Sequence, residues 1–365
     1  MNFSDIFIDD TKNVKRINSD EYLIKGSISV IDQGKELIAG YASDDVENAC
    51  YDTRIIFGDH TRIFKYIDFP FVCGADGTKV LKIIDPSKIN YKYMYYYLLA
   101  SNIPNTGYNR HFKWVKELSF KPVDINSQMM IVNKLDKINN LIDCRKKEIE
   151  KCDNLIKSQF VEMFGNIKTN DKKWNVYSNL LNYCVFNPKK NEIAEVNKDT
   201  MVTFLPMQNV SVDGVINYSI EKKISEVWKG FTYFKENDVL FAKITPCMEN
   251  GKGAVAKKLK NGIGFGTTEF HVIRPNKEIN SVWLYHVLAD KDFRKEAGEN
   301  MTGSAGQKRV PITFLENYKL AIPPIELQNK FAQIVEQIDK QKFEFENSLK
   351  KLEELQASLM QEYFG

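Results

Sequence analysis

Residues 128–165, QMMIVNKLDKINNLIDCRKKEIEKCDNLIKSQFVEMFG, and residues 328–365, QNKFAQIVEQIDKQKFEFENSLKKLEELQASLMQEYFG, align without a gap at a constant offset of 200. Both begin on Gln and end on Phe-Gly. Alternating steps of four and three from Ile131 reach Leu135, Ile138, Ile142, Arg145, Ile149, Cys152, Ile156, Gln159 and Met163, of which all but Arg145 and Gln159 are apolar. The same steps from Phe331 meet only Lys342 and Gln356 as polar interruptions. No Pro or Gly breaks either run. A narrow apolar seam sustained this long predicts two long helices that need a coiled-coil partner, and each copy is the other's obvious partner.

The duplication reaches further back. Residues 74–99 (GADGTKVLKIIDPSKINYKYMYYYLL) align with residues 264–289 (GFGTTEFHVIRPNKEINSVWLYHVLA) at an offset of 190, with Gly74/Gly264, Thr78/Thr268, Ile89-Asn90/Ile279-Asn280 and Tyr95/Tyr285 coinciding. The second copy therefore carries ten extra residues before its long helix, where a loop absorbs them cheaply. The chain reads as globular unit, helix, globular unit, helix, with expected boundaries at 1–124, 125–165, 166–324 and 325–365.

Within the first unit, strands are expected at Ile28–Ile31, Arg54–Phe57, Ile63–Tyr66 and Val80–Ile84, between Gly, Asp and Asn turn signals. The second unit predicts strands near Thr203–Leu205, Val239–Ile244, Ala254–Lys257 and Phe270–Ile273. Helices are expected over Asn90–Ala100, a Tyr-rich segment read as core packing, and over Asn280–Ala289. A further strand-like segment closes each unit, Leu118–Val123 and Tyr318–Ile322. Pro323-Pro324 forbids helix before Ile325 and makes a stiff elbow, whereas Asp124-Ile125 stands at the softer first elbow.

At 365 residues, 43% hydrophobic and 27% charged, the chain has material for two domains plus the helices. A net charge of +3 permits a polyanionic partner without demanding one. The six cysteines form no CxxC pair, which favours reduced thiols over disulfides or zinc. No apolar run is long enough for a membrane span and the N-terminus lacks a leader's apolar stretch, so a cytoplasmic protein without a membrane partner is expected.

Catalytic signatures are missing. There is no GxxxxGK[ST] loop, and Asn187-Pro188-Lys189-Lys190 lacks the second proline and the ring of an amino-methyltransferase motif. Asp213 with Glu221 and Lys223 loosely resembles the spaced acids and lysine of metal-dependent nucleases, although a solvated loop is the plainer reading. His60, His111, His271 and His286 have no carboxylate or Cys at ligand spacing.

The positive signals are glycine loops rich in amide and cationic side chains, the groups that distinguish base edges and approach phosphates. KITPCMENGKG (243–253) carries Lys243, Thr245, Asn250 and Lys252. TGSAGQKR (302–309) carries Ser304, Gln307, Lys308 and Arg309, and Gln208, Asn209, Thr267 and Thr268 add amides and hydroxyls on neighbouring turns. First-unit counterparts are Gln33 and Lys35 in DQGK, Arg54, then Asp59, His60, Thr61 and Arg62 in GDHTR, and Arg110 and His111 in GYNRH.

The runs DVLFAKITPCMENGKGAV, GFGTTEFHVIRP, TGSAGQKRVP and AIPPIELQNKFAQIVEQID closely resemble the target-recognition domain and following helix of type I restriction-modification specificity subunits. YLIKGSISVIDQGKELIAGY, FGDHTRIFKYIDFPFVCGADGTKVL and GYNRHFKWVKELSF resemble another version of that domain. The resemblance covers essentially the whole chain. It implies an α+β fold of two similar mixed α/β target-recognition domains separated by two long helices in an antiparallel coiled coil. It further implies no catalytic residue, cofactor or metal, and one half of a bipartite double-stranded DNA site read by each domain. Two methyltransferase subunits, with motor-nuclease subunits for cleavage, are the implied partners. Rival readings are a specificity subunit serving a stand-alone methyltransferase, a metal-dependent nuclease, and a coiled-coil scaffold without DNA affinity.

Overall fold

The computed structural model describes residues 1–365 save Ala75, Asp76, Tyr108 and Ala305, so parts of the 74–77, GYNRH and TGSAGQKR loops lie outside the described residues. The chain divides into two compact units, Met1–Glu148 with Phe345–Gly365, and Ile149–Glu344. Each unit takes its share of both long helices.

The first unit contains α1 (Phe3–Ile6), β1 (Phe7–Asp9), β2 (Ile28–Ile31), β3 (Gly40–Ala42), β4 (Arg54–Gly58), β5 (Phe64–Ile67), β6 (Phe71–Cys73) and β7 (Thr78–Ile83). Then come α2 (Tyr91–Ala100), α3 (Phe112–Lys116) and the start of α4 (Ile125–Phe164). One sheet runs β1-β7-β4-β5, all antiparallel, and the other β3-β2-β6, with β2 and β6 parallel. The Tyr-rich helix is core, as expected: Tyr93, Met94, Tyr96 and Leu98 are buried on α2 beside Ile55, Phe57 and Leu81.

The second unit contains the end of α4, β8 (Val176–Asn179), β9 (Cys184–Phe186), β10 (Met201–Leu205), β11 (Glu221–Lys223), α5 (Ile224–Val227), β12 (Thr232–Lys235), β13 (Val239–Ala242), β14 (Gly253–Val255), β15 (Ile263–Gly266) and β16 (Phe270–Pro275). Helices α6 (Ser281–Ala289), α7 (Lys291–Glu299) and α8 (Ile312–Asn317), strand β17 (Lys319–Ile322) and the start of α9 (Ile325–Phe364) complete it. Its sheets run β9-β16-β13-β14 and β11-β10-β15-β12, with β10 and β15 parallel. Strand for strand this repeats the first unit: β1, β7, β4 and β5 match β9, β16, β13 and β14, while β3, β2 and β6 match β11, β10 and β15. The counterpart of β12 has shrunk to one bridge, Cys50 to Phe71.

Of the expected segment Tyr318–Ile322, Lys319–Ile322 forms β17, paired over four residues with β8. Leu118–Val123 is not a strand, a correction to the sequence expectation. Its strand-type pairing is limited to the bridge between Asn2 and Ser119 and the Met1–Phe120 bonds, because among the described residues the first unit has no strand in the place of β8. Strand patterning creates the capacity to pair, and without a partner strand the capacity is not used.

Every seam position of both long helices is buried or half-buried. In the first unit the partners run in opposite order, Lys134 with Tyr363, Asn139 with Gln356, Arg145 with Ser348, so the packing is antiparallel. In the second, Lys342 donates to Asp153 at 2.7 Å, and Phe331 packs on Phe160 and Phe164 with the same sense. The polar seam residues Arg145, Lys342 and Gln356 find partners on the facing helix, and Arg145 also lies over the Phe345 ring.

The Gln and Phe-Gly that bracket both copies anchor the helices. Gln128 is fully buried; its Oε1 accepts from Asn90 N, and its Nε2 donates to Lys88 O and Val123 O. Gln328 repeats all three bonds with Asn280 N, Glu278 O and Pro323 O. Asn90 and Asn280 in turn cap α2 and α6. At the opposite ends, Phe164 packs on Trp283 of α6, and Phe364 on Tyr93 and Tyr97 of α2. The first elbow replaces Pro324 with Asp124, whose carboxylate accepts from Asn126 N, Ser127 N and Ser127 Oγ. Among the described residues no helix is long and apolar enough to cross a membrane.

Candidate nucleic-acid interface

The loops singled out by sequence occupy the same connections in both units. Residues 58–62 join β4 to β5, as 243–252 join β13 to β14. Residues 32–39 follow β2, as 206–220 follow β10, and the loops ending at His111 and Arg309 lead into α3 and α8. Equivalent connections of a duplicated sheet end on the same edge, so the loops must meet.

In the first unit they do. Asp59 N donates to Gly77 O, His60 N to Gln33 Oε1, Thr61 Oγ1 to Gln33 O and His111 N to Asp59 O. His111, fully buried, sets its Nδ1 3.0 Å from the same Asp59 carbonyl; a carbonyl only accepts, so Nδ1 carries the proton. Asp59 Oδ1 accepts from Phe112 N at the start of α3. Arg54 is also buried, ion-paired to Asp10 at 2.9 Å. Three of the expected contact residues, Arg54, Asp59 and His111, are thus internal supports. Lys35, Thr61 and Arg110 are exposed, while Gln33, His60 and Arg62 are half-buried, with Arg62 Nη1 on Ile103 O.

In the second unit Lys243 N donates to Glu269 O, Val310 N to Lys243 O, and Thr245 N to Lys308 O. Lys252 Nζ reaches Met207 O, and Asn209 Nδ2 reaches Asn217 O, which fastens the 206–220 connection to the same edge. Thr245 Oγ1 donates to Gly306 O and Thr267 Oγ1 accepts from Glu269 N. Gln208, Asn250, Thr268, Ser304, Gln307 and Lys308 are left exposed. Arg309 does not present a free fork: Nε and Nη2 bind both oxygens of Glu269 at 2.9 and 2.8 Å, and Nη1 donates to Gln307 O. This bond holds the Glu269 carboxyl below its ordinary range.

Sequence reasoning missed two cations that pin these loops from beneath. Lys65, 4% exposed, donates to Asp32 O and Glu36 O, and its burial pushes its pKa down. Arg294, on α7, donates to Met248 O, Gly251 O and Lys252 O; burial pushes it down to about 10. Neither sits in a patterned motif, and the only signal was a charge on an otherwise apolar face.

The acids and lysine of the nuclease reading do not gather. Asp213 faces Lys342 at 3.5 Å, Glu221 pairs with Lys260 and Lys223 with Asp199. Among the described residues no three His, Cys, Asp or Glu side chains are placed to hold a metal ion.

This edge of loops, built twice over matching sheets, belongs to a class that comparison with known proteins identifies. Residues 185–357 match the model of the type I restriction modification DNA specificity domain, and this stretch belongs to that family. Over 148 residues, 38% of the chain, the sequence is 44% identical to the type I restriction enzyme EcoAI specificity subunit of Escherichia coli. It is 44% identical over 143 residues, 36% of the chain, to the EcoEI specificity subunit of the same organism. These matches span 25% and 24% of those proteins, so the chain covers about a quarter of the length of the curated relatives it matches. The fold extends over the whole chain: the type I restriction-modification S subunit from M. genitalium superposes with a TM-score of 0.59, covering 99% of this chain and 94% of that one at 16% identity.

Proposed function

We propose that the chain is a non-catalytic DNA sequence-specificity subunit, reading a bipartite double-stranded target with one half-site per globular unit. Methyltransferase subunits dock on it in this reading, and motor-nuclease subunits join for cleavage, in the cytoplasm. One observation carries the reading: the same connections converge in both units, tied backbone to backbone, while the side chains they leave exposed differ. A common scaffold with divergent amides, hydroxyls and cations is what two independent readers of base edges require. The exposed residues Lys35, Thr61, Arg110, Gln208, Asn250, Thr268, Ser304, Gln307 and Lys308 are the proposed contacts.

The test is a binding titration on duplex DNA at several salt concentrations. Phosphate contacts release counterions, so affinity should fall steeply with salt, linearly in the logarithms. A scaffold without DNA affinity gives no binding to titrate, and a nuclease degrades the duplex when magnesium is added.

A further inference from the structure

A cleft of 380 Å³ opens in the second unit between the 187–191 turn and the strands β12 and β16. Lys189, Lys190, Asn191, Thr232, Lys243 and Thr268 line it together with Phe231, and no carboxylate is among its lining residues. The carboxylates next to it in sequence are already engaged. Glu269 is held by both arms of Arg309, and Glu192 accepts from Arg274 at 2.6 Å. Lys190 is occupied too, its ammonium bonded to Trp228 O and lying over the Trp228 ring. That leaves Lys189, exposed, and Lys243, half-buried; neither makes an ion pair among the described residues. Burial pushes the Lys243 pKa down; the nearby Glu269 carboxylate opposes that shift and Arg309 adds to it, so desolvation outweighs the compensation the protein supplies.

The walls are fixed. Asn187 adopts a left-handed backbone (φ 47°) and bonds Val272 in both directions, its N donating to Val272 O and its Oδ1 accepting from Val272 N. Its Nδ2 lies 3.4 Å from Nδ1 of His271, whose Nε2 is spoken for by Val310 O at 2.8 Å. A slot with two ammonium groups that make no ion pair among the described residues, an amide and hydroxyls suits a tetrahedral oxyanion.

The first unit carries a different residue at the corresponding node. Asp59 occupies the node of Lys243: its N–H reaches the β6–β7 connection and its carbonyl accepts from the residue that leads into the next helix, as those of Lys243 do. There the following residue is Phe112, whose N–H needs the Asp59 carboxylate; in the second unit it is Pro311, which has no N–H to satisfy. The acid is dispensable at that node, and a lysine stands in its place.

We infer that the cleft between the 187–191 turn and Lys243 is a phosphate slot, gripping the DNA backbone beside the half-site read by the second unit. This rests on the DNA-binding reading above and assigns Lys189 and Lys243 to phosphate rather than to bases. The experiment uses the full chain and measures affinity against salt for duplexes of the cognate sequence and of single-base variants. Lys189→Gln and Lys243→Met should each reduce the slope of log affinity against log salt by about one unit, weakening every sequence alike. Lys243→Arg should restore the slope. If Lys243→Met fails to fold, exposed Lys189→Gln carries the test alone. An unchanged slope in Lys189→Gln overturns the slot, as does a loss confined to one base substitution. Failure of the wild-type chain to bind any duplex would instead sink the DNA-binding reading itself, and this inference with it.

Discussion

Asp59 and Lys243 hold the same place in two copies of one sheet and carry opposite charge. The main-chain bonds at this node are identical in kind, but Asp59 turns inward to cap a helix while Lys243 lines an open cleft. Fixing of the surrounding loops also differs. The first unit pins its 32–36 loop with a lysine from β5, and the second its 248–252 loop with an arginine from α7. The two units therefore share what the backbone decides and diverge in what the side chains decide. Such a division allows loops to change their ligand without endangering the sheets, since ladder hydrogen bonds and strand burial do not involve the exposed side chains.

The largest contrast should come from the helix ends. Phe164 is fully buried against Phe160, Trp283 and Phe331, whereas Phe364 is half-buried on α2. Phe164→Ala should cost about 3–5 kcal/mol by thermal or denaturant unfolding, and Phe364→Ala clearly less. Equal losses would mean that the two anchors are not distinguished by burial.

Acid should separate the units next. His271 is buried and held neutral, its pKa down to about 4. A histidine with a depressed folded pKa takes up its proton more readily when unfolded. Its stabilising contribution is complete above pH 6.5 and is lost as pH falls from there toward 4. The loss approaches about 3 kcal/mol at pH 4 from this residue, and His286, likewise pushed down to about 4 by burial, acts in the same direction. Hydrogen exchange between pH 7 and 4.5 should show the second unit loosening, and His271→Gln should flatten that dependence. A pH-independent second unit in the wild type would contradict it.

The elbows sharpen the comparison where the copies agree. Gln128→Ala and Gln328→Ala each strand one amide and two carbonyls, and each should cost about 1–3 kcal/mol. Because the bonds coincide, the two losses should match. Asp124→Ala should show the smallest effect of this group, since its carboxylate is exposed; its readout is fraying of the first turn of α4 by hydrogen exchange.

Periodic features were legible. The heptads marked both long helices, the offset of 190 placed Asn90 and Asn280 at matching caps, and the glycine loops fell on matching connections. Features that depend on partners distant in sequence were not. Leu118–Val123 has the composition of a strand but no strand to pair with, and β8, whose Val176 and Tyr177 are exposed, has too weak an alternation to announce itself. The candidate site suffered most. Arg54, Asp59 and His111 looked like contacts because they are polar residues at or beside loops, yet 44 to 53 residues separate them from the partners that hold them inside. Arg309 met Glu269 forty residues away in the same manner. A polar loop residue in sequence does not disclose whether its partner is a ligand or the protein itself.

Independence of the two proposed readers is the central claim, and exchange of one of them tests it most directly. Residues 166–324 would be replaced by the corresponding domain of another family member, and the chimera assembled with the methyltransferase subunits before sequencing the methylated sites. The account predicts a bipartite motif in which one half changes and the other stays as in the parent. A chimera that still methylates the parental motif, or one in which both halves change, would contradict it.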